Sequence, residues 1–492
     1  MKLPIYIPYK VEQSKSVIEA LNSGWVSSQG LFIQLCIDKL KQLLNVKYAI
    51  LTNNGTSSTH CIAMALKFKH PTINKIYVPD NVYVAAINSM LFEYPLSQLQ
   101  VLPMDYKTLN IDLSCIDKLE TNSALLIVHN IGIIIDTPLL RRRRPDIVFI
   151  EDACEAFMAN YTSGELVGSD SLASSFSFYA NKIITCGEGG LFVTNDKEVY
   201  EHVFKKCHQG QTNERYVHDT IAYNYRMTNI QAALLYDQIL LLQEILTKKK
   251  EIFREYYNQL QDEIFSYNNS LWMMCCKIET TISLKETNSF FERNNIEIRP
   301  MFYPLTKHSH LKNIKYLDEQ SKLVSNRIHK DYFIFPSYPS LLPNEIVHIA
   351  NIIKQYRNRM KVTFFNPSVI QVKEFISSLT EELNTFRYFK TREFETINNH
   401  VVTLLVRYDD TIVGYGHIDY DKSNNRLWLG LVVSKQYQTL GLGTMLIKEL
   451  IKDRNDIYLS VNKDNTKAIS LYVKNGFKLK DEKTNYFVYC MK

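Results

Sequence analysis

Between about residues 45 and 200, short apolar runs alternate with helix-like segments, and no other feature of the sequence constrains the fold as strongly. Residues 56–67 and 83–92 have the pattern of helices. The apolar runs between them are predicted to be buried strands, at residues 49–52, 75–79, 124–128 and 147–150. Strands and helices in alternation predict a parallel sheet with crossover helices, which is an α/β core.

Polar residues that could carry chemistry come directly after these predicted strands. In open α/β sheets, ligands bind beyond the carboxyl ends of the strands. The candidates in this position are Thr56, Tyr83, His129, Asp152 and Lys182. The sequence therefore predicts one ligand site at this edge of the sheet.

Lys182 is the most informative of these residues. It lies between an aromatic run and a glycine-rich turn in residues 176–190, thirty residues after Asp152. A lysine amine can form a Schiff base with an aldehyde, and an aspartate can keep a pyridinium nitrogen protonated so that the ring accepts electrons. A single lysine in a turn is more commonly a solvated surface residue. Lysine and aspartate together with a phosphate site indicate pyridoxal 5′-phosphate (PLP) chemistry.

A glycine turn that opens a helix could supply the phosphate site. Residues 54–58, Asn-Gly-Thr-Ser-Ser, offer backbone amides and hydroxyls to an anion at a helix N-terminus. Taken alone, the same string is more typical of an ordinary N-cap. Ser177 is either a strand residue or a further phosphate donor, and Tyr83 is either a core residue or a ring stacked on a flat cofactor.

Size and composition bound the class of protein. A chain of 492 residues exceeds one hydrophobic core, so two or three domains are expected. With 46% hydrophobic and 22% charged residues it has the composition of a soluble globular protein, and a net charge of +6 gives no basis for nucleic-acid binding. Nine cysteines without C-x-x-C spacing argue against a zinc site and for a reducing compartment. With no signal peptide or apolar run long enough for a membrane helix, we expect a cytoplasmic protein without a metal.

A second lobe and a second domain are predicted downstream. Residues 228–260 have the pattern of one long helix leading into a smaller lobe, and residues 344–357 form another helix. The pattern of strand, helix and antiparallel strands starts afresh at about residue 363. We therefore expect two domains, residues 1–360 and 361–492.

Six ordered segments in the first part of the chain resemble one family closely. The resemblance is to the DegT/DnrJ/EryC1/StrS sugar aminotransferases, which are PLP enzymes of fold type I, and it covers about residues 1–357. It implies a large α/β domain with a small C-terminal lobe, and the detail is most similar to 4-aminotransferases of the perosamine-synthase type. The segments are residues 23–30, 54–56, 150–156, 176–190, 223–233 and 298–304.

This resemblance implies roles for individual residues. Lys182 would form the Schiff base and shuttle the proton, and it separates the chain from related dehydratases, which carry histidine there. Asp152 would pair with the pyridine nitrogen, Tyr83 would stack on the ring, and Glu155 would lie beside it. The phosphate would be held by Thr56, Ser57 and Ser177. Asn224 or Arg226 would reach the phosphate of the neighbouring subunit's cofactor, so the resemblance also implies a homodimer.

Two features between His129 and Ile147 depart from what the family leads us to expect. The stretch after His129 is unusual, and the helix before Ile147 is predicted to be short. It ends in Arg141 to Arg144. The run is either a solvated helix end favoured by the helix dipole or a site for a nucleotide diphosphate.

The C-terminal part contains a second glycine turn. A strand leads into Gln438-x-x-Gly441-x-Gly443 and then into a helix predicted at residues 445–452. Such a turn lets backbone amides close on a pyrophosphate at a helix start. Together with residues 459–477, this pattern resembles the GNAT acetyltransferases over about residues 363–492 and implies an α+β fold that uses acetyl-CoA.

The GNAT resemblance also implies site residues. Gln438, Gly441, Leu442 and Gly443 would bind the pyrophosphate, and Asn465 would contact coenzyme A. Tyr472 would act as general acid on the departing thiolate. No general base is obvious: His417 and Asp419 are candidates, each of which could be structural, and a base linked through solvent is also possible.

The two halves fit one reaction sequence, because an aminotransferase makes the kind of primary amine that an acetyltransferase of this type modifies. We expect a bifunctional enzyme that aminates a nucleotide-linked 4-keto-6-deoxyhexose with glutamate and then N-acetylates it for glycan synthesis. One alternative is the same chemistry on a UDP-2-acetamido-4-keto sugar. Another is a protein that binds PLP and coenzyme A but lacks one activity.

Overall fold

The computed structural model describes residues 2–261, 270–278, 283–360, 362–386, 388–452 and 454–491. The chain divides into two compact units, residues 1–354 and 355–492. The domain boundary expected after residue 360 stays a prediction, and residue 361 lies outside the described part of the chain.

The first unit contains an eight-stranded sheet and a small three-stranded one. Their strands are β1 (Tyr48–Thr52), β2 (Ile76–Val78), β3 (Leu99–Val101), β4 (Ala124–Val128), β5 (Val148–Asp152), β6 (Ser174–Ser177), β7 (Gly190–Thr194), β8 (Met274–Lys277), β9 (Arg299–Pro300), β10 (Lys315–Tyr316) and β11 (Tyr332–Phe335). The large sheet has the order β1-β7-β6-β5-β4-β2-β3-β10, and the small sheet has the order β8-β11-β9.

Helices cover the large sheet and continue into the small lobe. They are α1 (Lys15–Ser23), α2 (Leu31–Leu44), α3 (Gly55–Lys69), α4 (Ala85–Leu91), α5 (Thr137–Arg143), α6 (Lys197–Cys207), α7 (Asn229–Leu240), α8 (Leu242–Leu260), α9 (Leu284–Arg293), α10 (Ser321–Asp331) and α11 (Pro343–Met360). The α/β core, its four predicted strands and its two predicted helices are confirmed.

Two details differ from the sequence-based expectation. Strand β1 is not part of the parallel set: it lies at the sheet edge and pairs antiparallel with β7. The predicted helix over residues 228–260 is interrupted at Leu241, whose amide bonds to the carbonyls of both Asp237 and Ile239. The backbone of Leu241 has φ of −87° and ψ of −2°, away from ordinary helical values, so α7 and α8 are separate helices.

The parallel strands β2, β3, β4, β5 and β6 bring the ligand-binding ends of their loops to one edge. Strands β2 and β4 consist of apolar and aromatic residues, whereas β5 ends in Glu151 and Asp152 and three of the four residues of β6 are serines. Strand β4 is buried along its whole length. The site at this edge therefore stands on a rigid core.

The second unit is a seven-stranded sheet with helices. It contains β12 (Val362–Phe365), α12 (Val369–Ser378), β13 (Val402–Tyr408), β14 (Thr411–Asp421), β15 (Arg426–Val433), α13 (Leu442–Leu450), β16 (Ile457–Asn462), α14 (Thr466–Lys474), β17 (Lys478–Glu482) and β18 (Tyr486–Met491). The strand order is β12-β13-β14-β15-β16-β18-β17. Helix α13 begins at Leu442, three residues before the predicted start, because Gly441 with φ of +76° caps it directly.

Within the described ranges, no helix combines the length and apolar character needed to cross a bilayer. The same residues contain no group of three or more His, Cys, Asp and Glu side chains placed to hold a metal ion.

Candidate active sites

The first turn of α3 and the end of β6 form a region rich in hydroxyls and amides. Asn54 caps α3, since its side chain accepts a hydrogen bond from the Ser57 amide at 2.8 Å. Gly55 allows a close approach to β6: a Cβ atom there would lie 2.7 Å from the Oγ of Ser177. Thr56 is exposed in the same turn. The cap and the phosphate cradle are therefore compatible, because the cap leaves the hydroxyls at the positive end of the helix free.

Gly190 fixes the turn from the other side. A Cβ atom on this residue would lie 2.4 Å from the carbonyl oxygen of Asn54 and 2.5 Å from the Oγ1 of Thr52. The start of β7 therefore packs directly on the turn between β1 and α3. Glycine is required here because an added Cβ atom would overlap the backbone of Asn54, and backbone cannot rotate away as a side chain can.

Asp152 ends β5 and is nearly buried. Its Oδ1 accepts a hydrogen bond from the Cys154 amide at 3.0 Å. Asp152 pairs with Ser175 on β6, two residues before Ser177. The carboxylate is thus on the strand next to the hydroxyl cradle, at the ligand-binding edge.

Its neighbour Glu151 has a different environment, because successive strand residues point to opposite faces. The buried carboxylate accepts hydrogen bonds from His129, Thr137, Tyr161 and Ser174. Burial alone would raise the pKa of Glu151, but the bonds from His129, Thr137 and Tyr161 and the charge of His129 lower it to about 2. His129, a sequence candidate for the site, belongs to this structural network.

Lys182 lies in the turn after β6, and its side chain is 12% exposed. The Nζ atom is 3.9 Å from the Oε1 of Glu155 and 4.0 Å from the ring centroid of Trp272. The indole of Trp272 donates to the Asn181 carbonyl at 2.9 Å, and the hydroxyl of Tyr6 donates to the Lys182 carbonyl at 2.9 Å. The turn is therefore held by two aromatic residues from distant parts of the chain.

Sequence reasoning missed Tyr6 and Trp272. Both contacts join residues about ninety or more positions apart. No periodicity or motif relates such positions, so only the presence of one of three tryptophans in the chain could have drawn attention to Trp272.

Glu155 is buried beside Lys182, and its Oε2 accepts a hydrogen bond from the Ile131 amide at 2.8 Å. Burial raises the pKa of Glu155 to about 7, although the charge of Lys182 and the Ile131 amide act in the opposite direction. A carboxyl group with this pKa can hold or release a proton at neutral pH.

Tyr83 is 62% exposed, and its ring lies 6.0 Å from the ring of Phe302. It is not a core residue, so of its two interpretations the structure favours a ring free to stack on a ligand.

Asn224 and Arg226 lie together beside the start of α3. The Nε of Arg226 donates to the Oδ1 of Asn224 at 3.0 Å, and the Nη2 of Arg226 donates to Gln209 at 3.1 Å. The backbone of Arg226 pairs with Thr52 of the same chain. Their role at a neighbouring subunit's phosphate stays a prediction.

The arginine run at the end of α5 is occupied by ion pairs. Arg141 pairs with Asp170 at 2.8 Å, Arg144 pairs with Asp146 at 2.6 Å, and Arg143 pairs with Asp117. These carboxylates already neutralise three of the four guanidinium groups, which favours the helix-end interpretation over a diphosphate site.

The second unit has a cleft of about 1450 Å³. Strands β15 and β16 are parallel but pair only at Leu427 with Ile457 and at Trp428 with Tyr458. Beyond these pairs the strands separate, which opens the sheet. Among the residues along the cleft are Gln438, Gly441, Gly443, Asn465 and Tyr472.

The glycine turn lies at the wide end of this cleft. Gly441 begins α13, and a Cβ atom on Gly443 would lie 2.9 Å from the Cδ2 of Leu471 on α14. The side chain of Gln438 donates to the Val433 carbonyl at 3.0 Å. Leu442 is fully buried, so only its backbone is available to a ligand.

Asn465 caps α14, since its Oδ1 accepts a hydrogen bond from the Ala468 amide at 3.1 Å. Tyr472 on the same helix is nearly buried, and its ring packs against Phe477 with 5.9 Å between centroids. Burial raises the pKa of Tyr472 to about 12. The hydroxyl is therefore protonated at neutral pH, as a general acid must be.

The two candidate bases differ in environment. His417 is 1% exposed, and burial, followed by the charges of His400 and Arg392, lowers its pKa well below the ordinary value. Asp419 accepts a hydrogen bond from the hydroxyl of Tyr388 at 2.8 Å. Both residues lie along the cleft.

The residues at the edge of the large sheet fit PLP chemically. Hydroxyls and amides at the start of α3 suit its phosphate, Asp152 suits its pyridine nitrogen, and the amine of Lys182 suits its aldehyde. The large sheet with its small C-terminal lobe is the fold of PLP-dependent transferases of fold type I.

Comparison with known proteins identifies the family. The model of the DegT/DnrJ/EryC1/StrS aminotransferase family matches residues 9–354, and the chain belongs to this family. The model of the GNAT acetyltransferase family matches residues 370–477. The chain is thus an enzyme with a PLP-dependent aminotransferase part and a GNAT domain that uses acetyl-CoA.

The relatives agree with this classification, and the solved structures agree with the fold. GDP-perosamine synthases of Escherichia coli O157:H7 and Vibrio cholerae are each 30% identical to the chain, over 72% of its length and over 98% and 99% of theirs. The aminotransferase PseC of Helicobacter pylori, involved in the biosynthesis of pseudoaminic acid, has a TM-score of 0.65 at 20% identity and covers 73% of this chain and 100% of its own. The E. coli GDP-4-keto-6-deoxy-D-mannose-3-dehydratase with bound hydrated PLP also has a TM-score of 0.65, at 19% identity, and covers 72% of this chain and 99% of its own.

Proposed function

We propose that the chain carries out two consecutive reactions on one nucleotide-linked sugar. The first transfers an amino group from glutamate to C4 of a 4-keto-6-deoxyhexose. The second transfers the acetyl group of acetyl-CoA to the new amine and gives a 4-acetamido-4,6-dideoxy sugar for glycan synthesis. The observation that carries this proposal is that one polypeptide has both the Lys182 site and the cleft with Tyr472.

A GDP-linked substrate is the first choice within this class. The two relatives at 30% identity are both GDP-perosamine synthases, and the chain covers nearly their whole length. On this basis the amination product is a GDP-linked 4-amino-4,6-dideoxyhexose.

Each half of the reaction has residues with suitable chemistry. Lys182 moves the proton at the reacting carbon, while Asp152 keeps the pyridine nitrogen protonated and Glu155 holds a proton nearby. When bound, PLP supplies an electron sink. In residues 361–492, proposed as the acetyltransferase domain, the glycine turn after β15 binds the pyrophosphate of acetyl-CoA and Tyr472 protonates the departing thiolate.

The test is a reconstitution with defined substrates. Purified protein is incubated with PLP, ¹⁵N-glutamate and acetyl-CoA, together with GDP-, dTDP- or UDP-linked 4-keto-6-deoxy sugars, and products are identified by mass spectrometry. We expect a ¹⁵N-acetamido sugar from the GDP substrate, and a ¹⁵N-amino sugar when acetyl-CoA is omitted. Failure to form an amine from any of these sugars would contradict the aminotransferase half, and accumulation of amine despite acetyl-CoA would contradict the acetyltransferase half.

A UDP-2-acetamido-4-keto-6-deoxyhexose is the second candidate substrate, which would give a diacetamido sugar. The same assay distinguishes it, since turnover that requires the 2-acetamido group would replace the GDP proposal.

An absorbance measurement distinguishes the proposed enzyme from a protein that only binds PLP. PLP held by Lys182 should absorb at about 410–420 nm, and glutamate should remove this band. A band that persists with glutamate would favour the binding protein.

A further inference from the structure

Lys249 on α8 is a fully buried lysine to which the proposed reaction gives no role. Its Nζ donates to the carbonyl oxygens of Trp272 at 2.7 Å and of Ser337 at 2.5 Å, and it lies 3.4 Å from the Oγ of Ser337. These acceptors are neutral, whereas a fully buried lysine is normally paired with a charge. Burial lowers the pKa of Lys249 well below the ordinary value. Such a costly side chain calls for a reason in what it holds.

Lys249 joins the ends of two paired strands. Trp272 comes two residues before β8 and Ser337 comes two residues after β11, and these strands are antiparallel with Met274 opposite Phe335. The Oγ of Ser337 also accepts a hydrogen bond from the Met274 amide at 3.1 Å. The buried amine therefore fixes the backbone at the point where the chain enters the small sheet.

Trp272 is anchored at both its backbone and its side chain. Lys249 binds its carbonyl, and its indole donates to the Asn181 carbonyl at 2.9 Å. Tyr6, whose hydroxyl donates to the Lys182 carbonyl, has its ring centroid 5.7 Å from the Nζ of Lys249. The buried lysine is thus next to both aromatic residues that hold the Lys182 turn.

This anchoring places an aromatic face over the amine of Lys182. The Nζ lies 4.0 Å from the ring centroid of Trp272, well inside the range of about 6 Å for a cation–π contact. Both side chains are largely buried, so the contact is weakened little by water. The ring face attracts an ammonium group and has no such attraction for a neutral amine.

The nearby carboxyl group does not make the ring redundant. The Oε1 of Glu155 is 3.9 Å from the Nζ of Lys182, but burial raises the pKa of Glu155 to about 7. At neutral pH this carboxyl group is therefore neutral in part of the molecules, and a neutral carboxyl group attracts an ammonium group only weakly. The indole of Trp272 does not titrate, so its attraction is the same in both protonation states of Glu155.

We propose that Trp272 is a positioning residue for proton transfer by Lys182: its indole face binds the ammonium group that forms when Lys182 takes a proton from the reacting carbon, and Lys249 holds the indole in place. The inference rests on the proposed function, in which Lys182 moves this proton. The proton passes from carbon to the amine and then back to carbon, so the electron pair of the broken C–H bond stays with the substrate and Lys182 regains its neutral form.

Two substitutions of Trp272 separate the aromatic face from side-chain volume. Trp272→Phe keeps an aromatic face, Trp272→Met fills a comparable space without one, and both remove the bond to Asn181. In full-length protein loaded with PLP, proton transfer is measured as exchange of the α-hydrogen of glutamate for solvent deuterium, by mass spectrometry. We expect Trp272→Met to lower the exchange rate constant by about 5–30-fold, as for the loss of a buried cation–π contact, with a similar KM for glutamate. Trp272→Phe should lose clearly less.

A second measurement requires no turnover. Full-length protein freed of PLP is treated with formaldehyde and a mild hydride reductant, and dimethylation of Lys182 is followed by peptide mass spectrometry. Only the neutral amine reacts, so labelling should be slow in the wild type and in Trp272→Phe and faster in Trp272→Met. Lys250, which is exposed on α8, is the internal reference for the labelling rate.

Substitutions of Lys249 test its part in holding the indole. Lys249→Met removes the donor to Trp272 and Ser337, so we expect slower exchange and faster labelling of Lys182, in the same sense as Trp272→Met. Lys249→Arg retains donors and should recover part of the rate. Lys250→Met, on the neighbouring exposed residue, is the matched control and should behave as the wild type. PLP content and thermal unfolding are measured for every variant, and the Trp272 pair remains decisive if Lys249→Met does not fold.

Several outcomes would overturn the inference. Equal exchange rates in Trp272→Phe and Trp272→Met, or equal labelling of Lys182 in the two, would show that the aromatic face has no role. Wild-type exchange in a Lys249→Met protein would remove Lys249 from the arrangement. If the wild-type protein exchanges no hydrogen of glutamate, or if Lys182→Ala still exchanges it, the proposed function fails instead, so the two failures are distinguishable.

Discussion

At the scale of single residues, the two neighbouring carboxyl groups Glu151 and Asp152 show how one strand serves two purposes. Glu151 points into the core, where His129, Thr137 and Tyr161 stabilise its charge. Asp152 points to the ligand edge, where its Oδ1 bonds to the Cys154 amide. The alternation of a strand separates a structural charge from the charge proposed to act on the cofactor.

Lys182→Ala should abolish amination and leave acetylation of a supplied amino sugar intact. The amine is required for covalent catalysis, whereas acetyl transfer takes place in another fold. Lys182→Arg is the matched control for charge, since it keeps a cation beside Glu155 without a nucleophilic amine, and it should be equally inactive. Both reactions are followed by mass spectrometry. Amination by either variant at a rate close to that of the wild type would show that Lys182 does not form the Schiff base.

Tyr472→Phe should affect only the second reaction. It removes the hydroxyl with little change in volume, so acetyl transfer should fall by about 10²–10⁴-fold with similar acetyl-CoA affinity. Tyr458→Phe serves as control, because the ring of Tyr458 on β16 packs against Arg426 at 4.6 Å and neither residue is among the described residues that line the cleft. An unchanged kcat in Tyr472→Phe would make this residue a packing residue of α14.

The buried carboxyl group of Glu155 should make the free energy of unfolding depend on pH. Its pKa in the folded protein, about 7, lies above the ordinary value of 4.5, so folding favours the protonated form. Its contribution to the free energy of unfolding is fully present below about pH 4.5 and is lost as the pH rises through about 7, by about 3 kcal/mol. Glu155→Gln should remove this loss. Urea denaturation of both proteins between about pH 5 and pH 8 measures it, and parallel curves would contradict the raised pKa.

At the scale of elements, the proposed PLP cradle depends on how closely β7 and β6 approach the start of α3. Gly190 and Gly55 make these contacts possible, and each is a position where a side chain would overlap existing atoms. Packing therefore explains why both positions are glycine. The same packing leaves the N-terminus of α3 open, so that a ligand can bind there.

Gly190→Ala should weaken PLP binding and lower the unfolding temperature of the first unit. The added Cβ meets the carbonyl oxygen of Asn54, and backbone cannot move aside as a flexible side chain can. Overpacking of this kind typically costs about 1–3 kcal/mol. PLP retention after dialysis and thermal unfolding are the measurements, and acetylation by the same preparation is the internal control. Unchanged PLP retention and stability would show that the turn can adjust.

At the scale of the whole molecule, a complementation test can show whether two subunits share the Lys182 site. Consider a mixed dimer in which one subunit carries Lys182→Ala and the other carries Arg226→Ala. If Arg226 acts at the partner's Lys182 site, one of the two sites in this dimer has both substitutions and the other has neither. Re-mixed subunits should then recover roughly one quarter of the wild-type amination rate, because half of the dimers are mixed and half of their sites are intact. Each variant alone should be inactive. No recovery in mixtures shown to exchange subunits would place Arg226 at the site of its own chain.

The sequence by itself determined the fold class and the main chemical groups. Strand and helix periods are local properties, so residues 45–200 predicted the α/β core, and the motifs around Lys182 and Gly441 are among the segments whose family resemblance implied the two enzyme classes. The lysine, the aspartate and the helix-capping turn could each be predicted from the sequence, because their neighbours in sequence are also their neighbours in space.

Only the tertiary structure decided how these groups are supported. Trp272 lies over Lys182, four side chains converge on Glu151, and Tyr388 orients Asp419, although these partners are far apart in the chain or follow no pattern. It also raised the pKa of Glu155 and lowered the pKa of His417, since burial disfavours the charged form of each. Burial and long-range contact are properties of packing, and a local sequence pattern carries no record of them.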